Sequence, residues 1–136
     1  MNSRFSAALR GRNPVRLADI WKSGLGATIG VSITGFLAHT LVNGEVSATP
    51  LLAAPIGASA VLAFAVPASP LAQPRAILGG NIISAIIGVT SALAFHEQPV
   101  LAAGVAVGAA IMAMSLLGCL HPPGGAVALG ASLLAI

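Results

Sequence analysis

The sequence predicts an all-α membrane protein, on three observations. Hydrophobic residues make up 57% of the 136-residue chain and charged residues only 7%, with a mean hydropathy of +0.97. An ordinary soluble chain is about 25% charged. Six of the nine charges (Arg4, Arg10, Arg12, Arg16, Asp19 and Lys22) precede Ser23, leaving only Glu45, Arg75 and Glu97 beyond it. The rest of the chain consists of uncharged apolar runs separated by turn-forming residues. The expected architecture is four transmembrane helices plus a fifth, short or truncated, helix.

Residues 1–22 read as a basic N-terminal tail and residues 23–136 as one transmembrane domain. The first span, 23–42, holds 20 residues without a charge, enough to cross about 30 Å of hydrocarbon. Asn43-Gly44-Glu45 then turns the chain. The second span, 51–66, is interrupted by Pro55 and ends at Pro67-Ala68-Ser69-Pro70. The third, 76–95, closes at His96-Glu97-Gln98-Pro99, and the fourth, 100–120, at His121-Pro122-Pro123-Gly124-Gly125. A last stretch, 124–136, covers less than about 20 Å as a helix. It reads as a re-entrant half-helix or as a span cut short, and truncation is favoured because a carboxylate at mid-bilayer is costly.

Positive charge in short loops sets orientation. The tail carries five of the six basic residues and the loop between spans two and three carries Arg75; the opposite loops hold Glu45 and Glu97 and no Lys or Arg. The N-terminus, Arg75 and His121 are therefore expected on the cytoplasmic side, in a multi-pass protein of a bacterial inner membrane. The lipid bilayer is the first expected partner. Small residues recur every fourth position: Gly26, Gly30, Thr34 and Ala38; Gly80, Ser84, Gly88 and Ala92; Gly104 and Gly108. Such stripes let helix backbones approach closely in lipid. They serve packing within one subunit or a homo-oligomer interface.

Several functions are disfavoured. The basic residues form a tail rather than a stripe, and there is no Tyr, so nucleic acid is not an expected partner. Cys119 is the only cysteine. With His121 it supplies two metal ligands, short of a tetrahedral set, so neither a metal nor another cofactor is expected. No acid lies inside any span and no nucleotide loop is present, so an enzyme is not expected either.

Two segments resemble each other at an offset of 67 residues. Ala54-Pro55-Ile56-Gly57-Ala58-Ser59-Ala60-Val61-Leu62 aligns with His121-Pro122-Pro123-Gly124-Gly125-Ala126-Val127-Ala128-Leu129, matching at proline, glycine and the final leucine. Proline suits the first turn of a helix, so both segments read as helix starts with unpaired N–H groups. They would run in opposite directions across the membrane, the pattern of an inverted repeat with a site at its interface. Two converging helix N-termini would hold an anion on backbone N–H groups of Gly57, Ala58 and Ser59 and of Gly124, Gly125 and Ala126. Chance similarity is the competing explanation.

His121-Pro122-Pro123-Gly124-Gly125-Ala126, together with Pro55 to Val61 and Pro67 to Arg75, resembles the HPP family of small integral membrane proteins. The resemblance runs from about Leu17 to the C-terminus. It implies a small multi-helix membrane protein whose family usually completes another span after His-Pro-Pro. Some plastid and cyanobacterial relatives are linked to nitrite transport. The expected function is therefore transport of a small inorganic anion, nitrite first. A small oligomeric ion channel and a non-transporting binding or regulatory module are the alternatives.

The remaining polar residues divide by position. His121 is the candidate proton-linked gate, since histidine titrates near neutral pH; a headgroup histidine is the other reading. Arg75 either draws anions to the cytoplasmic mouth or contacts lipid phosphate. Asn81, inside span three, either bridges helices or lines the pathway. Ser59 either donates to the anion or bonds back to its own helix. His39 and His96 are expected at the interface.

The orientation is directly testable. Single cysteines replacing Glu45, Arg75 and Glu97 in a Cys119-free background should show positions 45 and 97 labelled by an impermeant thiol reagent on intact cells, and position 75 protected. The reverse pattern overturns the topology.

Overall fold

The structure is a computed structural model that describes residues 16–41 and 49–135. The arginines of the far N-terminal tail, the Asn43-Gly44-Glu45 turn and Ile136 lie outside the described residues. Five helices follow in order: α1, Leu17–Leu41; α2, Thr49–Ala60, continued by a π turn, Val61–Ala65; α3, Pro74–Ala94; α4, Pro99–Leu116; and α5, Pro122–Leu134. A short 3₁₀ turn, Pro70–Ala72, precedes α3. α1, α3 and α4 are each long and apolar enough to cross a membrane.

The boundaries differ from expectation in three places, each for a local reason. α1 begins six residues before the predicted start at 23 and takes Leu17, Asp19, Ile20 and Lys22 from the tail. Asp19 in its first turn complements the helix dipole. α4 ends at Leu116 rather than 120 because Gly118 adopts a left-handed φ of 64°. The Cys119 N–H then bonds the Met114 carbonyl and the Gly118 N–H the Ser115 carbonyl, the Schellman pattern that closes a helix. The third difference is the largest. Pro55 does not start a helix but lies inside α2, where it removes one ladder bond without ending the helix. Of the two expected half-helix N-termini only the one at Pro122 exists. Gly57, Ala58 and Ser59 are mid-helix residues.

α3, α4 and α5 form the core, and small residues four apart make it. Buried at this spacing are Ala76, Gly80, Ser84, Gly88 and Ala92 on α3, Ala102, Ala106, Ala110 and Met114 on α4, and Gly124, Ala128 and Ser132 on α5; Ser91, Pro123 and Gly130 are buried beside them. The opposite face of α3 exposes Leu78, Ile82, Ile86 and Leu93. Both faces are apolar; size decides which turns inward, since only small side chains allow close backbone approach in lipid. The α3 stripe is thus packing within the subunit. On α4 the expected stripe is replaced. Gly104 and Gly108 have nothing within 4 Å of where a Cβ would stand, and alanines carry the contact instead.

α3 and α5 run parallel. A Cβ on Gly80 would stand 2.7 Å from His121 Cβ, and one on Gly88 would stand 2.5 Å from the Ala128 carbonyl oxygen. His121 is therefore level with Gly80, roughly 9 Å along α3 from Pro74 at 1.5 Å per residue. The same register brings Leu134 near the level of Ala94. α5 thus starts within the bundle, and Pro122–Leu134 is the short fifth helix that was expected.

α1 contributes no buried residue and leans on the π turn of α2. Phe64 lies over Gly26 and Gly30, where a Cβ on Gly26 would stand 2.6 Å from its ring. Ser23 Oγ donates to the Phe64 carbonyl at 2.6 Å, satisfying a backbone acceptor at the end of the π turn. Exposed hydroxyls of Thr28, Thr34, Thr90 and Ser115 bond the carbonyl four residues back.

Gly88→Val must displace α5 backbone and should lower stability by about 1–3 kcal/mol or more, read as a lost melting transition in detergent. Gly104→Val meets no neighbour and should leave the transition in place. Equal loss in both would show that α4 packs through its glycine face.

Candidate functional site

The chain beyond α4 turns back into the bundle. Arg75, at the start of α3, donates from Nη2 to the Leu117 carbonyl at 2.8 Å, placing a cation on the negative end of the α4 dipole. Its role in the structure is that cap. From there Gly118 reverses the chain, Cys119 is buried against Gly79, and His121 enters the interior as the residue before α5.

His121 is fully buried, which removes the headgroup reading. Its Nδ1 donates to the Leu71 carbonyl at 2.8 Å. A carbonyl only accepts, so the neutral ring carries its proton on Nδ1 and leaves Nε2 as an acceptor. Ser59 Oγ, 2.9 Å away, donates to it. One side chain thus joins α2, the loop before α3 and the start of α5, with both ring nitrogens satisfied. The expected back-bond of Ser59 to its own helix is replaced by this contact across 62 residues.

The N-terminus of α5 is poor in free donors. Pro122 and Pro123 carry no N–H, and the Gly124 N–H donates to the His121 carbonyl at 2.8 Å. Gly124 itself is pressed into the core, since a Cβ there would stand 2.8 Å from Ser84 Oγ and 2.9 Å from Met114 Sδ. Its glycine serves close packing. Gly125 is half-buried and Ala126 exposed. The expected anion cradle of converging helix N-termini is therefore not formed.

What the structure brings together is a cavity of about 390 Å³ among α1, α2, α3 and α5, lined by Ala38, Pro55, Ser59, Asn81, Val127 and Ala131 among others. Ser59 and Asn81 are its polar side chains among the described residues. Asn81 Oδ1 is buried and has no hydrogen-bond partner. The paired segments of the sequence thus border one cavity by an indirect route: Pro55 and α5 form part of its walls, and Ser59 and Asn81 are polar side chains on them. The larger depression, about 620 Å³, involves only residues around the start of α4. It is an open helix face and gathers no functional groups.

The family described as HPP, transmembrane region, matches residues 12–135. Two proteins of Dictyostelium discoideum, each described as a transmembrane protein, are 42% identical over 123 residues and 40% identical over 111 residues. These matches cover 87% and 77% of this chain but 39% of each relative, so the chain spans well under half the length of the curated relatives it matches. No solved structure matches.

Replacing His121 by Leu leaves the Leu71 carbonyl and the Ser59 hydroxyl without their partner. Each buried orphan costs about 1–3 kcal/mol. The variant should lose its melting transition, whereas Arg75→Met, at an exposed helix end, should cost less than about 1 kcal/mol. A His121→Leu protein as stable as the parent would show that the three-way junction is dispensable.

Proposed function

We propose that this chain, which belongs to the HPP transmembrane family, moves a small inorganic anion across the membrane, with nitrite the first candidate. The observation that carries the reading is the cavity holding Ser59 and the unpartnered Asn81 Oδ1, backed by the buried His121. Asn81 lines the cavity, and a polar side chain kept inside a membrane bundle with no partner for its oxygen is a standing cost that packing alone does not explain. The resemblance to family members linked to nitrite transport supplies the candidate solute.

In this reading Ser59 and Asn81 contact the solute and His121 positions Ser59. The neutral ring holds the Ser59 hydrogen; a ring protonated on Nε2 becomes a donor and turns that hydrogen toward the cavity. This reversal is the route by which His121 acts as a proton-linked gate. Arg75, capping α4, contributes to the charge at the proposed cytoplasmic side. Gly57, Ala58, Gly124, Gly125 and Ala126 shape the helices around the cavity, and no catalysis or resident cofactor is involved.

Counterflow of labelled nitrite in liposomes should be saturable and accelerated by nitrite on the opposite side. Ser59→Ala and His121→Gln should both change its pH profile, and the double variant should change it no further than His121→Gln, which already removes the proton-linked bond to Ser59. Current without exchange would identify a channel. Absence of both flux and current would overturn transport.

A further inference from the structure

We infer that the solute route runs along α2 through two adjoining cavities, and that Phe64 on the π turn gates the end of it nearest the loop between α2 and α3. The inference rests on the transport reading for the identity of the solute and on geometry alone for the route. Beside the Asn81 cavity lies a second one of about 270 Å³, with Thr34, Ala63, Phe64 and Ile77 among its walls. The two cavities share Ile56 and Ser59, about one turn apart on α2. Their remaining walls step along the bundle in a consistent order. From the second cavity to the first they advance on α1 from Gly30 to Ala38 and on α3 from Ile77 to Ala85, and on antiparallel α2 they run back from Phe64 to Pro55. Eight residues of α1 or α3 rise about 12 Å, so the two hollows lie end to end along one path. Ile77 is within a turn of Pro74, where α3 starts, which puts the Phe64 end of the path beside the loop that precedes α3.

Phe64 is built to move at that position. It is the one aromatic side chain among the described wall residues of either cavity. Its ring lies in a seat made by Gly26 and Gly30, which carry no side chain to clasp it, and it remains 38% exposed rather than enclosed in the core. Its backbone, by contrast, is tied down, because the Ser23 hydroxyl of α1 donates to the Phe64 carbonyl. A fixed backbone under a lightly seated ring allows a change of side-chain rotamer without breaking a backbone hydrogen bond. The π turn that carries the ring is a rare element that recurs at functional sites. Past the ring, the path offers small and aliphatic walls and two hydroxyls. The Thr34 hydroxyl donates to the Gly30 carbonyl, and the Ser59 hydroxyl donates to His121. Ser59 borders both cavities, so a solute that passes Phe64 meets the hydroxyl governed by His121 before it reaches Asn81.

A thiol reacts as its thiolate, which forms in water and not in hydrocarbon, so cysteine labelling reports the route without reference to any solute. The probe is an anionic, membrane-impermeant methanethiosulfonate, supplied to membrane vesicles on the face that bears the loop between α2 and α3. In a full chain with Cys119→Ala, Thr34→Cys on the proposed path should react at least tenfold faster than Leu78→Cys, which is level with Ile77 but 64% exposed on the outer face of α3. Phe64→Ala should speed labelling of Thr34→Cys at least tenfold further and accelerate nitrite counterflow, while Phe64→Leu, which keeps apolar volume over the glycines, should fall between it and the parent. Ile56→Trp, filling the junction of the two cavities, should stop counterflow and leave Thr34→Cys labelling in place. Nitrite counterflow with Thr34→Cys no more reactive than Leu78→Cys, in the parent and in both Phe64 variants, would overturn the route and leave transport standing. Fast labelling that neither Phe64 variant alters would overturn the gate, as would a Phe64 effect on melting alone. Labelling as expected with no nitrite flux in the parent would overturn the transport reading and leave the gated, water-filled path intact.

Discussion

The backbone contact between α3 and α5 is the constraint on which the remaining structure depends. At Gly88 the space for a Cβ is occupied by the Ala128 carbonyl oxygen, and at Gly80 by His121 and the Cys119 carbonyl. Two helices that meet at this distance leave no freedom in register. His121 must then sit level with Gly80, well inside the bundle, and the chain between Leu116 and Pro122 must turn inward to deliver it. Gly118 makes that turn by adopting a left-handed conformation that other residues reach only with strain. Met114 fills the angle left between Gly80, Ser84 and Gly124, with Ser84 Oγ directed at its sulfur at 3.6 Å. The flexible thioether suits an irregular gap of this kind.

Packing in lipid gains little from apolar character alone, since the solvent is apolar as well. The bundle therefore sorts its residues by size and by hydrogen-bonding capacity. Small residues four apart face inward on α3, α4 and α5, and leucines and isoleucines face outward on α3. α2 is held differently. It meets α1 through one aromatic ring over two glycines and meets α5 through the Ser59–His121 bond. The cavity lies on this less tightly packed side, where α2 and α1 close against the three-helix core.

Much of this was legible in the sequence, and the failures have physical causes. Charge-free runs located the spans, and the Gly80-Ser84-Gly88-Ala92 stripe marked a true contact face because every member is small. On α4 two candidate stripes existed, one of glycines and one of alanines at positions 102, 106 and 110. Helix periodicity cannot rank them, since both are small and apolar and the choice is made by the partner helix. Pro55 and Pro122 looked equivalent because a proline's local chemistry is the same at a helix start and in a tolerated interior site. What differs is the preceding chain: Gly118 ends α4 before Pro122, while nothing ends α2 before Pro55. Asn81 was visible as a polar residue within a span, and its significance required knowing that no neighbour reaches it. The burial of His121 was hidden for another reason. It is set by the depth to which the Gly118 turn descends, a tertiary quantity that no local pattern records.

The distribution of satisfied polar atoms separates structure from function here. In hydrocarbon an unpaired polar atom is costly, and the described hydroxyls show how consistently that cost is avoided. Exposed threonines bond their own helices, Ser23 finds the Phe64 carbonyl, and Ser59 finds His121 across the bundle. Two buried side-chain oxygens, Ser132 Oγ and Asn81 Oδ1, remain unpaired among the described residues. They are not equivalent. Ser132 is completely enclosed in α5 packing, where a small hydroxyl stands in an alanine-like position of a close-approach stripe and its volume is what the contact uses. Asn81 borders about 390 Å³ of open space, and a leucine or alanine at that position would serve packing better. An amide kept unpaired beside a cavity, where packing alone would favour an apolar side chain, is the feature on which the proposed transport function rests.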